Sequence, residues 1–218
     1  MTILALEFSS PQRSAAVLRT DGARVAAEAV ESGGRGTVAL GMIGKVLAEA
    51  NVGREEIDTV AVGLGPGSYT GVRAAISAAQ GWQLAWKIKT IGVSSVEAIA
   101  AQAQAENILG RVSVVIDAQR GEFYLAVFEI SAGGWKEIKP LKILPLAEVR
   151  RRADAGEFFI GPEAANKFPD GRMIFPRAAM LAKLAAGRKD FVAGETLEPV
   201  YLREADFVKS QPGRTSGS

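Results

Sequence analysis

Ile3-Leu-Ala-Leu-Glu7-Phe-Ser-Ser10-Pro-Gln-Arg-Ser14-Ala-Ala-Val-Leu-Arg19-Thr-Asp21-Gly22-Ala-Arg24-Val-Ala-Ala-Glu-Ala-Val30-Glu31 is a run of three strands. The first is Ile3 to Phe8, and the polar Ser9-Ser10-Pro11 turn leads to the second, Ser14 to Arg19. Asp21-Gly22 suits the positive φ angles of a tight hairpin and returns the chain into the third, Arg24 to Glu31. Beyond a Gly-rich connector, Ser32 to Gly36, the pattern predicts a helix over Thr37 to Ala50 and a buried strand over Thr59 to Leu64. A Gly-Pro-Gly loop, a long helix from Thr70 to Trp86, a strand at Lys89 to Val93 and a helix from Ser95 to Glu106 follow.

The same order then begins again. Arg111 to Ile116 is a β-branched strand ending in Asp117, the Arg120-Gly121 turn leads into a strand over Glu122 to Ile130, and a Gly133-Gly134 hairpin opens a third over Trp135 to Ile143. Ile3 to Val30 and Val112 to Leu141 thus share strand, terminal acid, polar turn, strand, Gly hairpin and strand. A period of roughly 110 residues is too long for a solenoid and fits a duplicated domain. A helix near Leu146 to Ala153, a strand at Glu157 to Ile160, a helix near Arg177 to Ala186 and the motif Leu197-Glu-Pro-Val-Tyr201-Leu-Arg203 complete the chain. The expected division is an N-terminal lobe over residues 1–106, a smaller C-terminal lobe over 107–209, and a disordered polar tail over 210–218. A duplicated βββαβα unit with an acid closing each first strand is the order of the actin-like ATPase and sugar-kinase (ASKHA) architecture, an α/β fold in which two hairpins face each other across a nucleotide cleft.

Composition removes whole classes of chemistry. The 218 residues contain no cysteine and no histidine, which excludes disulfides, thiolate nucleophiles, Ser-His relays and His-ligated metals. Lys plus Arg is 26 against 24 Asp plus Glu, too even a balance to predict nucleic-acid binding by itself, and the dense Arg150-Arg151-Arg152 cluster reads as a solvated helix face. The first residues lack a basic leader, their apolar run stops at Glu7, and no stretch approaches the ~18 apolar residues of a spanning helix, so the expected site is the cytoplasm, off the membrane.

Three features carry candidate chemistry. Glu7 and Asp117, at matching places in the repeat, are the candidate catalytic pair, acting through magnesium-bound water, with Ser9, Ser10 and Arg120 beside them. Asp117-Ala-Gln-Arg120-Gly121 has one glycine where a second phosphate loop would carry several, so the cleft can exist in vestigial form. Gly63-Leu-Gly65-Pro66-Gly67-Ser68-Tyr69-Thr70-Gly71 leaves a strand and enters a helix. It has no Walker lysine and no third dinucleotide glycine, and it reads as a tight turn capped by Ser68 or Thr70. The third feature is helix composition. Val38, Leu40, Met42, Ile43, Val46 and Leu47 run almost round the first helix, while Gly71, Ala74, Ala75, Ala78 and Ala85 form a small-residue stripe beside Trp82 in the second. Cover by the parent sheet and a protein interface both account for this.

Ile3-Leu-Ala-Leu-Glu-Phe-Ser-Ser10, Gly65-Pro-Gly-Ser-Tyr-Thr-Gly-Val-Arg73, Ile91-Gly-Val-Ser94, Ile116-Asp-Ala-Gln-Arg-Gly-Glu-Phe-Tyr124 and Glu198-Pro-Val-Tyr-Leu-Arg203 together resemble the bacterial TsaB (YeaZ) family. The likeness runs through nearly the whole chain, and the Gly-Pro-Gly-Ser-Tyr-Thr-Gly block is its most specific part. It implies an actin-like two-lobed fold and a role in making threonylcarbamoyladenosine beside the tRNA anticodon. The implied role is that of a non-catalytic subunit that pairs with TsaD, which carries the metal and the transferase chemistry. A separate enzyme supplies threonylcarbamoyl-adenylate. The ATPase TsaE joins the larger complex, tRNA is met through that complex, and the chain alone forms a homodimer. No cofactor or metal belongs to this chain alone, and ATP or ADP with magnesium belongs to the complex.

The family's pairing surface is its first two helices, here Leu40, Ile43, Leu47, Gly71, Ala74, Ala75, Ala78 and Trp82. Gly65, Pro66, Gly67, Ser68, Thr70, Arg73, Tyr201 and Arg203 form its structural motif. The family's glycoprotease label fits poorly, because TsaD-type relatives hold their metal on a histidine pair. Two departures from the family stand out: Glu7-Phe8-Ser9 replaces the common Asp-Thr-Ser, and Arg35-Gly36-Thr37 stands where a histidine is frequent. Alternatives in other classes are a small-molecule kinase or ATPase using Glu7 and Asp117, and, third, a peptidase.

Overall fold

The computed structural model describes residues 1–21, 24–33 and 39–202. Gly22 of the first hairpin, the connector with Arg35, Gly36, Thr37 and Val38, Arg203 and the 210–218 tail lie outside the described residues. The first sheet comprises β1 (Thr2–Glu7), β2 (Gln12–Arg19), β3 (Arg24–Ser32), β4 (Thr59–Gly63) and β5 (Lys89–Val93), in the order β3-β2-β1-β4-β5. Helices α1 (Ala39–Ala50), α2 (Tyr69–Trp86) and α3 (Ser95–Ala105) belong to the same unit. The second sheet comprises β6 (Gly110–Gln119), β7 (Glu122–Ser131), β8 (Gly134–Pro145), β9 (Phe159–Gly161) and β10 (Arg172–Met173), in the order β10-β9-β6-β7-β8. Each sheet has two antiparallel pairings among its first three strands and two parallel pairings after them. Read from the third strand of each unit the orders are identical, so the internal duplication is a duplication of topology and the fold is the actin-like α/β one.

Strand alternation builds four cores, one on each face of each sheet. Leu4, Leu6, Val17, Val60 and Val62 meet α1 and α2 on the outer face of the first sheet. Ile3, Ala5, Ala16 and Ala61 meet Ala98 and the helix α6 (Ala178–Ala186) on its inner face. In the second sheet Val112, Val114, Tyr124 and Phe128 pack on α3. Val115, Phe123, Leu125 and Phe159 pack on α4 (Leu146–Asp154) and the short α5 (Ala164–Lys167). Helix α3 therefore contributes to both inner cores, and its alanine-rich sequence lets two sheets approach one helix.

The structure differs from the sequence pattern in the start of β9, in the unexpected short α5 and β10, and in the course of the last segment. The strand expected from Glu157 begins at Phe159, because the Glu157 N–H is taken by Arg152 O at 3.0 Å in the turn that closes α4; its carboxylate accepts the Ser113 hydroxyl and pairs with Arg152. The last segment, assigned by order to the second lobe, returns to the first. Helix α6 covers β1 and β2, with Leu181 and Ala182 buried beside Ile3 and Ala16. Ser14 Oγ accepts the Ala178 N–H at 2.8 Å, and the Glu28 carboxylate binds Arg177 and accepts the Ala179 N–H at 3.1 Å. Further on, Val192 bridges to the edge strand at Thr90 and Val200 N–H bonds Leu64 O at 2.8 Å. The boundary at residue 106 therefore does not separate two self-contained units: the first is completed by residues 178–200.

Candidate functional site

A cleft of about 810 Å3 lies between the two sheets. One wall is the β1–β2 turn, with Ser9, Ser10, Pro11 and Arg13; the other is the β6–β7 turn, Asp117 to Arg120, with Pro162 and Glu163. Gly67, Ser68, Tyr69 and Tyr201 close its mouth. Ser9, Ser10, Asp117 and Arg120 thus meet as the repeat predicts. The acid pair does not. Glu7 shares strand parity with Ile3 and Ala5, faces the inner core and is fully buried. Its Oε1 accepts the Ser9 N–H at 2.7 Å and its Oε2 the Ser95 hydroxyl at 2.8 Å, at the start of α3. Burial raises its carboxyl above the ordinary carboxylate range, against the lowering effect of these donors. Glu7 is a strut joining the first strand to α3, and it is absent from the cleft lining.

The acid that does stand beside Asp117 is Glu163, which the sequence pattern did not single out because it lies in an irregular connection after β9. Its Oε2 accepts the Asp117 N–H at 3.2 Å. Partial burial, with the nearby Asp117 charge adding to it, raises its carboxyl. Asp117 Oδ1 in turn accepts the Gln119 N–H at 2.6 Å, and Gln119, Arg120 and Gly121 all have positive φ. The donors that a phosphate would seek are partly engaged within the protein. Ser9 N–H serves Glu7, and Ser68 N–H serves Ser9 O at 2.6 Å.

The Gly65 to Gly71 block is a close-packed turn. Ser68 caps α2 by accepting the Gly71 N–H at 3.3 Å, the cap expected from its position. Gly67 has φ +146° and any Cβ there would strike the Ser9 carbonyl; a Cβ at Gly71 would strike that of Phe8. Gly65 O accepts the Ser95 N–H at 2.8 Å, and the Gly65-Pro66 bond is cis. Thr70 is exposed on the first turn of α2. Arg73 lies over the Tyr69 ring at 4.6 Å, and Tyr69 stacks on Tyr201 with centroids 5.3 Å apart. The motif therefore anchors the returning C-terminal segment to α2.

A second concavity, about 490 Å3 and almost wholly apolar, opens to solvent between α1 and α2, lined by Leu40, Ile43, Gly44, Ala78, Gly81 and Trp82 among others. Leu40 is 67% exposed, and Leu84 and Trp86 also reach solvent. Of the residues expected at an interface, Leu40 and Ala74 are exposed, Ala78 is half-buried in the groove wall, and Ile43 and Trp82 form the floor. Leu47, Gly71 and Ala75 turn inward to the sheet and are corrected to core positions, Leu47 5% and Ala75 0% exposed. In the Arg150 to Arg152 cluster, Arg151 and Arg152 bind Glu148, and Arg152 also reaches Glu157. No helix of the described residues is long and apolar enough to cross a membrane.

Residues 37–198 match the family model of TsaD, tRNA N6-adenosine threonylcarbamoyltransferase. The tRNA threonylcarbamoyladenosine biosynthesis protein TsaB of Escherichia coli K12 is 32% identical over 192 residues, covering 80% of this chain and 83% of that one. Its Bacillus subtilis counterpart is 30% identical over 97% of this chain and all of the other. A Pseudomonas aeruginosa crystal structure, described as that of a protein with similarity to peptidase YeaZ, superposes with a TM-score of 0.78 at 30% identity, covering 93% of this chain and 99% of that chain. With shared topology, the Gly65 to Gly71 turn and these relatives over most of its length, the chain belongs to the TsaB (YeaZ) family of tRNA threonylcarbamoyladenosine biosynthesis proteins.

Proposed function

We propose that this protein is a non-catalytic subunit that binds and stabilises a TsaD-type partner for threonylcarbamoyl transfer to the adenosine beside the tRNA anticodon. The observation that carries the reading is the apolar groove between α1 and α2, where small residues let a partner helix approach and exposed Leu40 offers a hydrophobic anchor. In the isolated chain a second copy covers the same groove, giving a homodimer. Transferase chemistry and its metal reside on the partner, a TsaE-type ATPase joins the larger assembly, and ATP or ADP with magnesium acts at that level, in the cytoplasm. A small-molecule kinase or ATPase is the second reading, favoured by the cleft holding Asp117 and Glu163. It loses its proposed acid pair because Glu7 faces the core.

Light scattering behind size exclusion, on this chain, on its TsaD-type partner and on their mixture, tests the assignment. A one-to-one complex forming at the expense of the homodimer is the expected result. A persistent monomer without complex, together with magnesium-dependent nucleotide turnover abolished by Asp117→Asn, would replace the scaffold with the ATPase.

A further inference from the structure

The outer face of the second sheet carries a charge pattern that the proposed scaffold role does not use. Arg120 from the β6–β7 turn, Arg150 from α4 and Lys167 from α5 converge on a concavity of about 150 Å3, which Asp117 also touches. All three cations are exposed, and none has a carboxylate within 4.0 Å among the described residues. Their neighbours differ: Arg151 and Arg152 are engaged by Glu148, whose carboxyl they hold below its ordinary value.

The pattern continues along the edge strand. Directly paired residues share a sheet face. Lys142 pairs with Leu125 and Lys139 with Val127, both of which belong to the core under α4, so both lysines project on the α4 side. They too are exposed and without an ion pair among the described residues. Lys136 follows on that face, opposite Glu129. Among the described residues a stripe of cations outside any ion pair thus runs from β8 to the β6–β7 turn, with Glu129 across the strand from Lys136 and the Glu163 charge near Lys167, and with no exposed large hydrophobic residue on β7, β8, α4 or α5.

We propose that this face binds the phosphate backbone of RNA. Separated cations drawn from a strand, two helices and a turn suit a chain of phosphates. The absence of an exposed stacking aromatic on this face among the described residues suits contact with backbone rather than bases. The stripe lies on the second sheet, away from the α1–α2 groove, and stays open when that groove is filled. The identity of the polyanion rests on the tRNA-modification reading above. The cation stripe itself does not.

Fluorescence anisotropy of labelled tRNA, titrated with the full chain and with its complex with the TsaD-type partner over a range of salt, tests the assignment. The triple variant Lys142→Ala, Arg150→Ala, Lys167→Ala should bind about tenfold more weakly at ~0.1 M salt. The slope of log K against log salt should fall by about 2 to 3, as expected for three lost phosphate contacts. A charge-matched control, Arg24→Ala, Lys183→Ala, Lys189→Ala, should keep the wild-type slope. Equal affinities and slopes for the two variants overturn the proposal. So does a triple variant that loses only ATP or inorganic phosphate binding, which would make the site one for a free phosphate compound, and so does capture of phosphatidylserine vesicles in place of tRNA. If the partner fails to bind, the scaffold reading falls, while the titration of the chain alone at low salt still decides this one.

Discussion

On the first sheet, α1 buries Met42, Ile43, Val46 and Leu47 and still presents Leu40, Gly44 and an open apolar groove beside α2. On the second sheet, α4 buries only Val149 and presents Arg150 and Arg151, with Lys139 and Lys142 on the strand beside it. The two faces occupy equivalent places in two sheets of one strand order. Topology fixes where a face stands, and the residues outside the core decide what it meets. One face is suited to a packed helical partner and the other to a polyanion, which separates two contacts that would otherwise compete for the same surface.

The sharpest way to break the comparison is to attack the scaffold common to both halves. Gly67 and Gly161 both have φ +146°, and a Cβ at either would strike a backbone carbonyl, that of Ser9 or of Val115. Gly67→Ala and Gly161→Ala should each cost about 3 kcal/mol or more in denaturant unfolding. Gly121→Ala, at φ +76° with open space around it, should cost about 1 kcal/mol. A large loss in one lobe alone would mean that the two halves share an order of strands without sharing their constraints.

Next in size is the contrast between the faces themselves. Ala78→Arg puts a charge into the apolar groove and should weaken the TsaD-type complex at least ~100-fold, about 2.7 kcal/mol, and should leave the isolated chain monomeric. Arg151→Ala on the opposite face should leave complex formation as it is. Calorimetric titration checks both, and equal effects would dissolve the division of labour.

The smallest effect separates the two acids that close the first strands. Glu7 is buried with its carboxyl raised above 4.5, so the fold prefers the neutral form. Wild-type stability from this group is therefore full below that value and declines as pH rises through the folded pKa. Glu7→Gln can keep the Ser9 N–H bond through its oxygen and donate to Ser95. It should match or exceed wild type in Tm at pH 7, with an advantage that shrinks as pH falls to 4.5. Asp117→Asn, half-buried at the end of β6 and not enclosed in a core, should change Tm little at pH 7. A Glu7→Gln protein that is least stable relative to wild type at high pH would show that its carboxylate is stabilised as an anion.

Most of the fold was legible because strand parity and Gly hairpins are local signals. Both three-strand runs and every helix of the first lobe occur where the pattern places them. Parity also held the clue to Glu7, which falls in register with Ile3 and Ala5, but the sequence does not say that α3 would cover that end of the sheet. Leu47 and Ala75 lie in the core and not at the interface for a related reason: a helix apolar nearly all round does not declare which stripe meets its own sheet. Glu163 and Tyr69 reach the cleft from loop and helix-start positions with no periodicity to betray them. The return of α6 to the first sheet depends on a long-range contact between Ser14 and Ala178, 164 residues apart.

That return has a consequence for synthesis. As the chain leaves the ribosome, β1 to β5 emerge long before the residues that cover Ile3, Ala5 and Ala16. Until Ala185 is available the inner face of the first sheet remains wet, so the half made first is the half finished last. A chain stalled after α3 would expose an apolar sheet and invite chaperone capture, whereas the complete chain closes that face with its own late helix.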